Sequence, residues 1–292
     1  MAARKTSMKK KIQIVEVGPR DGLQNEKVHL SIDQRIDLIR RLVGAGVSYV
    51  EAGSFVRPEW VPQMAKSAEV FEKIKKEKAD FGFLVPNERG MLDAIAAGVK
   101  EVAIFAACSE SFSKKNLNCT IDESFERFIP VMRLAKKHKI KVRGYLSVCF
   151  GCPFEGTVSV STVVRLAKKM IQLGVYQVSI GDTIGVATAF DVERLFKKLK
   201  TEIPVKKLAG HFHNTRGQAL ANIFVCYKLG VKTFDSSVGG TGGCPYAPGA
   251  SGNVATEDVV YLFEKSGLMT GINRDRLIEI SNWLKPILSR NC

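Results

Sequence analysis

The sequence predicts a (β/α)8 barrel of the TIM type, with one extra helix at the C-terminus. Three observations lead there. Short apolar runs alternate with amphipathic stretches from end to end. A phrase in which glycine closes a helix and a β-branched run follows it occurs four times. Eight such units fit within about 260 residues, the usual span of this barrel, with no Pro/Gly/Ser linker or break in composition between them. Residues 1–292 are therefore expected to form a single domain, with the barrel over about 12–267.

The recurring phrase reads AGVSYVEAGS (45–54), AGVKEVAIFAA (97–107), LGVYQVSIGD (173–182) and LGVKTFDSS (229–237). In each, the glycine suits a helix C-terminus and the run after it suits a strand buried on both faces. Similar runs at 12–17, 81–85, 142–148 and 207–213 bring the strands to eight. Helical spacing of apolar residues lies between them at 31–45, 58–77, 87–97, 121–138, 159–173, 188–201 and 214–229. An eighth helix follows at 255–267, and a further one at 273–288 closes the chain. Alternating strands and helices imply parallel pairing, because each crossover returns the chain to the same edge. An open doubly wound sheet is the rival, but no G-x-G-x-x-G follows the first strand and no Walker sequence is present.

Composition narrows the function classes. The 45% hydrophobic content excludes disorder as the main state. No run approaches the roughly 20 apolar residues that span a bilayer, and no membrane partner is expected. The first dozen residues, MAARKTSMKKKI, are basic but lack the apolar segment of a secretory signal and are short for a transit peptide. A cytoplasmic protein is the expectation. The net charge is +15, from 44 Lys and Arg against 29 Asp and Glu. Lysines cluster in helix-like stretches such as 72–78 and 136–141 without interleaved aromatics, so no nucleic-acid partner is expected. The charge reads as a solvated basic surface or as attraction for a phosphate-bearing substrate. Seven scattered cysteines, without a signal peptide, read as reduced thiols. Cys149 and Cys152 form a lone C-x-x-C pair, read as structural, and Cys292 is expected to be exposed.

Chemistry in such a barrel sits where the strands end at their C-terminal edge. Those positions hold Arg20, Asp21 and Gln24 after the first strand, Glu51 and Ser54 on the second, Asp182 and Thr183 on the sixth, and His211 and His213 on the seventh. Residues i and i+2 of a strand share a face, so both imidazoles can point into the mouth. Two nitrogens with oxygens from Asp21 and an amide suit Mg²⁺ or Mn²⁺. After the eighth strand, GGTGGCPYAPGASGN (239–253) holds six glycines. It reads as a mobile flap that can approach a ligand closely, with Cys244 and Asn253 set within it. Cys244 is expected to act as a proton donor. Glu16 and Glu51 lie within strands and need partners. Arg20 is the expected one, and it is also expected to stabilise a developing enolate oxygen.

The stretches EVGPRDGLQNE (16–26), SFVRPEWVPQM (54–64), GDTIG (181–185), HFHNTRGQALAN (211–222) and GGCPYAPGASGNVATEDVVY (242–261) closely resemble the 3-hydroxy-3-methylglutaryl-CoA lyases, barrel-fold metallolyases whose first strand ends in an Arg-Asp pair. The resemblance runs over nearly the whole chain and implies cleavage of hydroxymethylglutaryl-CoA to acetyl-CoA and acetoacetate. It implies that Asp21, His211, His213 and Asn253 bind the divalent cation, and that Arg20 contacts the substrate carbonyl. It makes Cys244 the catalytic thiol and has Glu51, Asp182 and Gln24 line the pocket. Asp182 or a cation-bound histidine is expected to help carry protons, and Lys27 is a candidate for the CoA phosphates. A homo-oligomer, as a dimer, is expected. One departure is Asn214, where many members carry Asp, and it is expected to weaken a hydrogen bond behind the cation or alter proton transfer.

Three alternatives stand beside this reading. A lyase for a bulkier 3-hydroxy-3-alkylglutaryl-CoA shares every motif. A condensing synthase on the same scaffold, of the isopropylmalate or homocitrate kind, usually carries a further C-terminal domain. A silent basic scaffold that binds nucleic acid has no need for paired histidines at a strand end.

Overall fold

A computed structural model describes residues 11–243 and 252–289. Eight strands close into a barrel in chain order, every neighbouring pair parallel. They are β1 (Gln13–Glu16), β2 (Tyr49–Ser54), β3 (Asp80–Leu84), β4 (Glu101–Ala107), β5 (Lys141–Ser147), β6 (Gln177–Asp182), β7 (Leu208–Phe212) and β8 (Thr233–Ser236). The outer layer comprises α1 (Ile32–Gly44), α2 (Ser67–Ile74), α3 (Glu88–Ala97), α4 (Glu110–Leu117), α5 (Ile121–His138), α6 (Val160–Leu173), α7 (Ala189–Glu202), α8 (Ala219–Lys228) and α9 (Thr256–Lys265). A last helix, α10 (Arg274–Ile287), packs on α1 and α9, where Arg41 stacks over the Trp283 ring at 4.7 Å. Among the described residues no helix is long and apolar enough to cross a membrane.

The repeated glycines do what the sequence required of them. Gly46, Gly98, Gly174 and Gly230 all take left-handed backbone, with φ of 96°, 83°, 112° and 104°. That conformation is cheap for glycine and turns the chain from helix end into strand. At the opposite helix ends, side-chain caps set the starts. Ser31, Thr120 and Thr188 each form a reciprocal capping box with the residue three places on.

Three elements depart from the sequence pattern. The predicted helix at 58–77 breaks into a short turn at Pro62–Met64 and α2, because Lys66 adopts φ 60° between them. The helix predicted from residue 214 begins only at Ala219; the Asn214 carboxamide oxygen accepts from Ala219 N–H at 3.2 Å, and Gly217 turns the chain at φ 67°. Helix α4 was not expected, since ESFSKKNL carries little apolar periodicity.

Glu16 ties the barrel closed where β1 meets β8. Its Oε1 accepts from Gly18 N–H at 2.8 Å and Val238 N–H at 3.0 Å, and its Oε2 accepts from the Thr256 hydroxyl at 2.6 Å. The sequence had paired Glu16 with Arg20, and the structure corrects this. Val15 and Val17 pack inward with Tyr49, so the intervening Glu16 points outward to α9, away from Arg20. Burial outweighs its three hydrogen bonds and pushes the Glu16 carboxyl up to about 7. A carboxyl raised in this way contributes most to stability below its ordinary value of 4.5, and that contribution fades as pH rises through about 7. Glu16→Gln removes the titration while keeping one acceptor and one donor. Thermal unfolding between about pH 5 and pH 8 should therefore show the variant gaining on the wild type as pH rises; parallel curves would contradict the assignment.

Candidate active site

The barrel's C-terminal mouth is built from strand exits that the sheet register holds side by side. After β1 the chain makes a tight helical turn, Gly18–Gly22, which lifts Arg20 and Asp21 over the rim. Arg20 Nε donates to Glu51 Oε2 on β2 at 2.7 Å, and its Nη1 donates to Asp21 Oδ1 at 2.8 Å. Across the mouth, His211 lies on β7 and His213 follows the strand's last residue, joined to Asn253 by an isolated bridge. The Asn253 amide nitrogen donates to Asp21 Oδ2 at 2.9 Å and to the Thr241 carbonyl at 3.1 Å. The glycines make this approach possible. A side chain on Gly252 would collide with the Gly240 and Gly242 carbonyls, and one on Gly242 would press on the Asn253 amide.

Asp21, His211 and His213 each offer a ligand atom, and these atoms lie within 4.8 Å of one another. The surrounding polar atoms fit a cation. His213 Nδ1 and Asn253 Oδ1 are buried without a hydrogen-bond partner, which is costly unless something completes them. Two imidazoles, a carboxylate and an amide oxygen form a donor set suited to a divalent ion of the magnesium and manganese type.

Electrostatics prepares these groups for that role. Burial opposes ionisation of Asp21, but Arg20, the two imidazoles and the Asn253 amide outweigh it and hold the carboxyl well below the usual range. Burial also works against the Arg20 charge; Glu51 and Asp21 overcome it and keep the guanidinium protonated. Burial, with His211 beside it, pushes His213 down to about 4, so the ring is neutral at pH 7 with a lone pair to offer. His211 is moved the other way: burial is outweighed by Asp235 and Asp21, which raise it.

A chamber of about 130 Å³ opens beside the imidazoles, with Arg20, Gln24, Tyr145 and Ser179 on its wall. Gln24, Asn25, Leu84, Phe105 and Asn116 also line a second chamber of about 580 Å³, which carries Arg57, Lys115 and Trp60. A larger groove of about 1130 Å³ runs outside the β2 exit between residues 54–68 and α3, away from the donor atoms.

Other expected residues fall elsewhere. Asp182 is buried but does not line the chamber. Its two oxygens accept from Val186 and Ala187 N–H at 3.0 Å each, so it anchors the loop after β6, and burial pushes it up to about 6 against those bonds. Glu51 is likewise behind the wall and meets the site through Arg20. Ser54 is buried at the end of β2 and borders the outer groove, not the imidazole chamber. Lys27 is exposed and borders neither chamber. Asn214 does not reach the cation donors; its side chain caps α8, so the expected effect on a hydrogen bond behind the cation is corrected to a helix cap. Cys149 and Cys152 are buried, with sulfur contacts to the Leu146 carbonyl and the Ser109 hydroxyl. Cys244, most of the flap around it and Cys292 lie outside the described residues; the chain reaches Gly243 on the chamber wall and is described again from Gly252.

The sequence missed the layer beneath. Arg143 on β5 donates through Nη2 to Asp235 Oδ1 on β8 at 2.7 Å, and both side chains are fully buried. Ser179 on β6 donates to Asp235 Oδ2 at 2.6 Å. The Tyr145 ring meets the Arg20 guanidinium at 5.5 Å and the Arg143 guanidinium at 4.9 Å. A lone Asp and a lone Arg inside two apolar strand runs were the available signal.

A parallel eight-stranded barrel with a candidate divalent-cation centre at its strand exits defines the class: a TIM-barrel enzyme of the metal-assisted kind. The family model described as HMGL-like matches residues 11–284, and the chain belongs to that family, one of divalent-metal lyases. A Pseudomonas aeruginosa protein named 3-hydroxy-3-isohexenylglutaryl-CoA/hydroxy-methylglutaryl-CoA lyase is 49% identical over 98% of this chain and 95% of its own. The hydroxymethylglutaryl-CoA lyase of Pseudomonas mevalonii is 50% identical over 92% of this chain and 90% of its own. The crystal structure of hydroxymethylglutaryl-CoA lyase from P. aeruginosa superposes with a TM-score of 0.94, at 49% identity, covering 97% of this chain and 95% of that one.

Proposed function

We infer that this chain cleaves 3-hydroxy-3-methylglutaryl-CoA to acetyl-CoA and acetoacetate by retro-Claisen C2–C3 cleavage, using Mg²⁺ or Mn²⁺. The observation that carries the reading is the convergence of Asp21, His211 and His213 at the barrel mouth, in a chain of this family. Asp21, His211, His213 and Asn253 would hold the cation, whose Lewis acidity makes a tertiary C3 hydroxyl easier to ionise. Once that proton is lost, the oxygen's electron pair forms the C3=O bond of acetoacetate while the C2–C3 bonding pair leaves onto C2 as the enolate of acetyl-CoA.

Arg20 lines the chamber with its charge secured by Glu51 and Asp21, so it can offset the enolate oxygen without reorganising. Cys244 then returns a proton to C2; its neighbour Gly243 stands on the chamber wall and accepts a hydrogen bond from Asn25 at 3.0 Å. A cation-bound histidine would help carry the hydroxyl proton, whereas Asp182, bound to two backbone amides, holds its loop in place. Gln24, shared by both chambers, stands where the acyl group meets its carrier, and an exposed Lys27 can attract the CoA phosphates.

A second reading, in which a longer C3 alkyl group is accepted, has one supporting observation. The small chamber beside the imidazoles and the larger one share Leu84 and Phe105 in their walls, apolar surfaces that an alkyl chain could follow. The 49%-identical relative bears a name covering both substrates.

Acetoacetate release from hydroxymethylglutaryl-CoA should stop when the enzyme is stripped with a chelator and return with Mg²⁺ or Mn²⁺; turnover indifferent to the chelator would end the metal-assisted reading. Cys244→Ala should abolish turnover and still take up Mn²⁺ in a direct binding titration. A substrate panel with methyl and isohexenyl groups at C3, compared by kcat/KM, separates the two readings: a preference for methyl of roughly 10-fold or more supports the first.

A further inference from the structure

We propose that Asp235 is a positioning residue for His211, fixing which ring nitrogen that histidine turns toward Asp21 and His213. The two residues are register partners on adjacent strands, β7 and β8. His211 Nδ1 lies 3.4 Å from Asp235 Oδ2, within reach of the charge though not in hydrogen-bond geometry. The carboxylate cannot turn away. Arg143 Nη2 donates to its Oδ1 at 2.7 Å and the Ser179 hydroxyl donates to its Oδ2 at 2.6 Å. Arg143 is oriented in its turn: its Nε donates to Gln177 Oε1 at 3.2 Å, and Gln177 Nε2 donates to the Thr233 hydroxyl at 3.1 Å.

A carboxylate beside one imidazole nitrogen keeps a proton there and leaves the lone pair on the other nitrogen. With Nδ1 turned to Asp235, Nε2 becomes the donor atom toward the cation cluster. Such carboxylate–histidine pairs fix the ring's tautomer and orientation and raise its basicity as a ligand, and their loss typically costs 10–100-fold in metal affinity. Arg143 lets the anion remain charged inside the barrel, where an unpaired carboxylate would take up a proton. The same residues would also make sense as a purely structural ion pair, but that role leaves the His211 tautomer and cation affinity unmoved. The inference rests on the assignment of His211 as a cation ligand.

The full-length protein, stripped of metal, is titrated with Mn²⁺ by calorimetry as wild type and as Asp235→Asn, and its histidines are observed by ¹⁵N NMR at a pH where His211 is neutral. We expect the variant to bind Mn²⁺ 10–100-fold more weakly. We also expect wild-type His211 to carry its proton on Nδ1, with that preference lost in the variant. A folded variant with wild-type affinity, or a wild-type His211 protonated on Nε2, overturns the proposal. If Asp235→Asn fails to fold, the wild-type spectrum still decides, and Ser179→Ala, which removes one of the carboxylate's two tethers, should weaken Mn²⁺ binding. A wild type that takes up no Mn²⁺ at all refutes the ligand assignment instead, while the tautomer continues to test Asp235.

Discussion

Two buried ion pairs, Arg20 with Glu51 and Arg143 with Asp235, lie beneath the mouth of the barrel, and the rest of the site is arranged around them. Each pair is expensive to desolvate, and neither is an obvious gain in stability over apolar side chains of the same size. Their use is positional. Arg20 carries Asp21 toward the imidazoles, Asp235 stands beside His211, and Tyr145 meets both guanidiniums. Signs alternate through Asp21, Arg20 and Glu51, and again through Asp235 and Arg143. No member can move without leaving an uncompensated charge in a place with little water.

The barrel supplies the rigidity this requires. Parallel strands place His211 beside Asp235 and Gly181 by register alone, and the outward-facing Glu16 binds the ends of β1 and β8 to the start of α9. Glycine is then a packing requirement at the rim. The Gly240–Gly242 backbone and Gly252 lie so close that a β-carbon would not fit, and this closeness brings the Asn253 amide to Asp21. The glycine-rich loop begins and ends at fixed points on the chamber wall and at the carboxylate.

Chamber shape bears on which acyl group the site accepts. The inner space beside the imidazoles is small and polar on one side, while Phe105 and Leu84 also line a wider space edged with cations. That gradient, from ligand-bearing floor to basic outer wall, suits a compact hydroxy-acid head joined to a long anionic carrier. The basic surface evident in the net charge of +15 is consistent with attracting such a carrier.

By itself the sequence determined the barrel and much of its rim. Glycine followed by a β-branched run marks a helix end and a buried strand whatever the surroundings, because the left-handed turn and the two-sided burial are local demands, and His211 and His213 share a face by strand geometry alone. What local pattern could not decide was partnership. Glu16 and Glu51 look alike in sequence, yet strand alternation sends one outward to Thr256 and the other to Arg20. Asp182 sits at a strand end like Asp21, but its oxygens are taken by its own loop. Asn214 follows the histidines and caps a helix instead. Asp235 and Arg143 are separated by 92 positions in the chain. They became neighbours only when the barrel closed, since a charge in an apolar run announces that it needs a counter-charge without saying where in the fold it will be found.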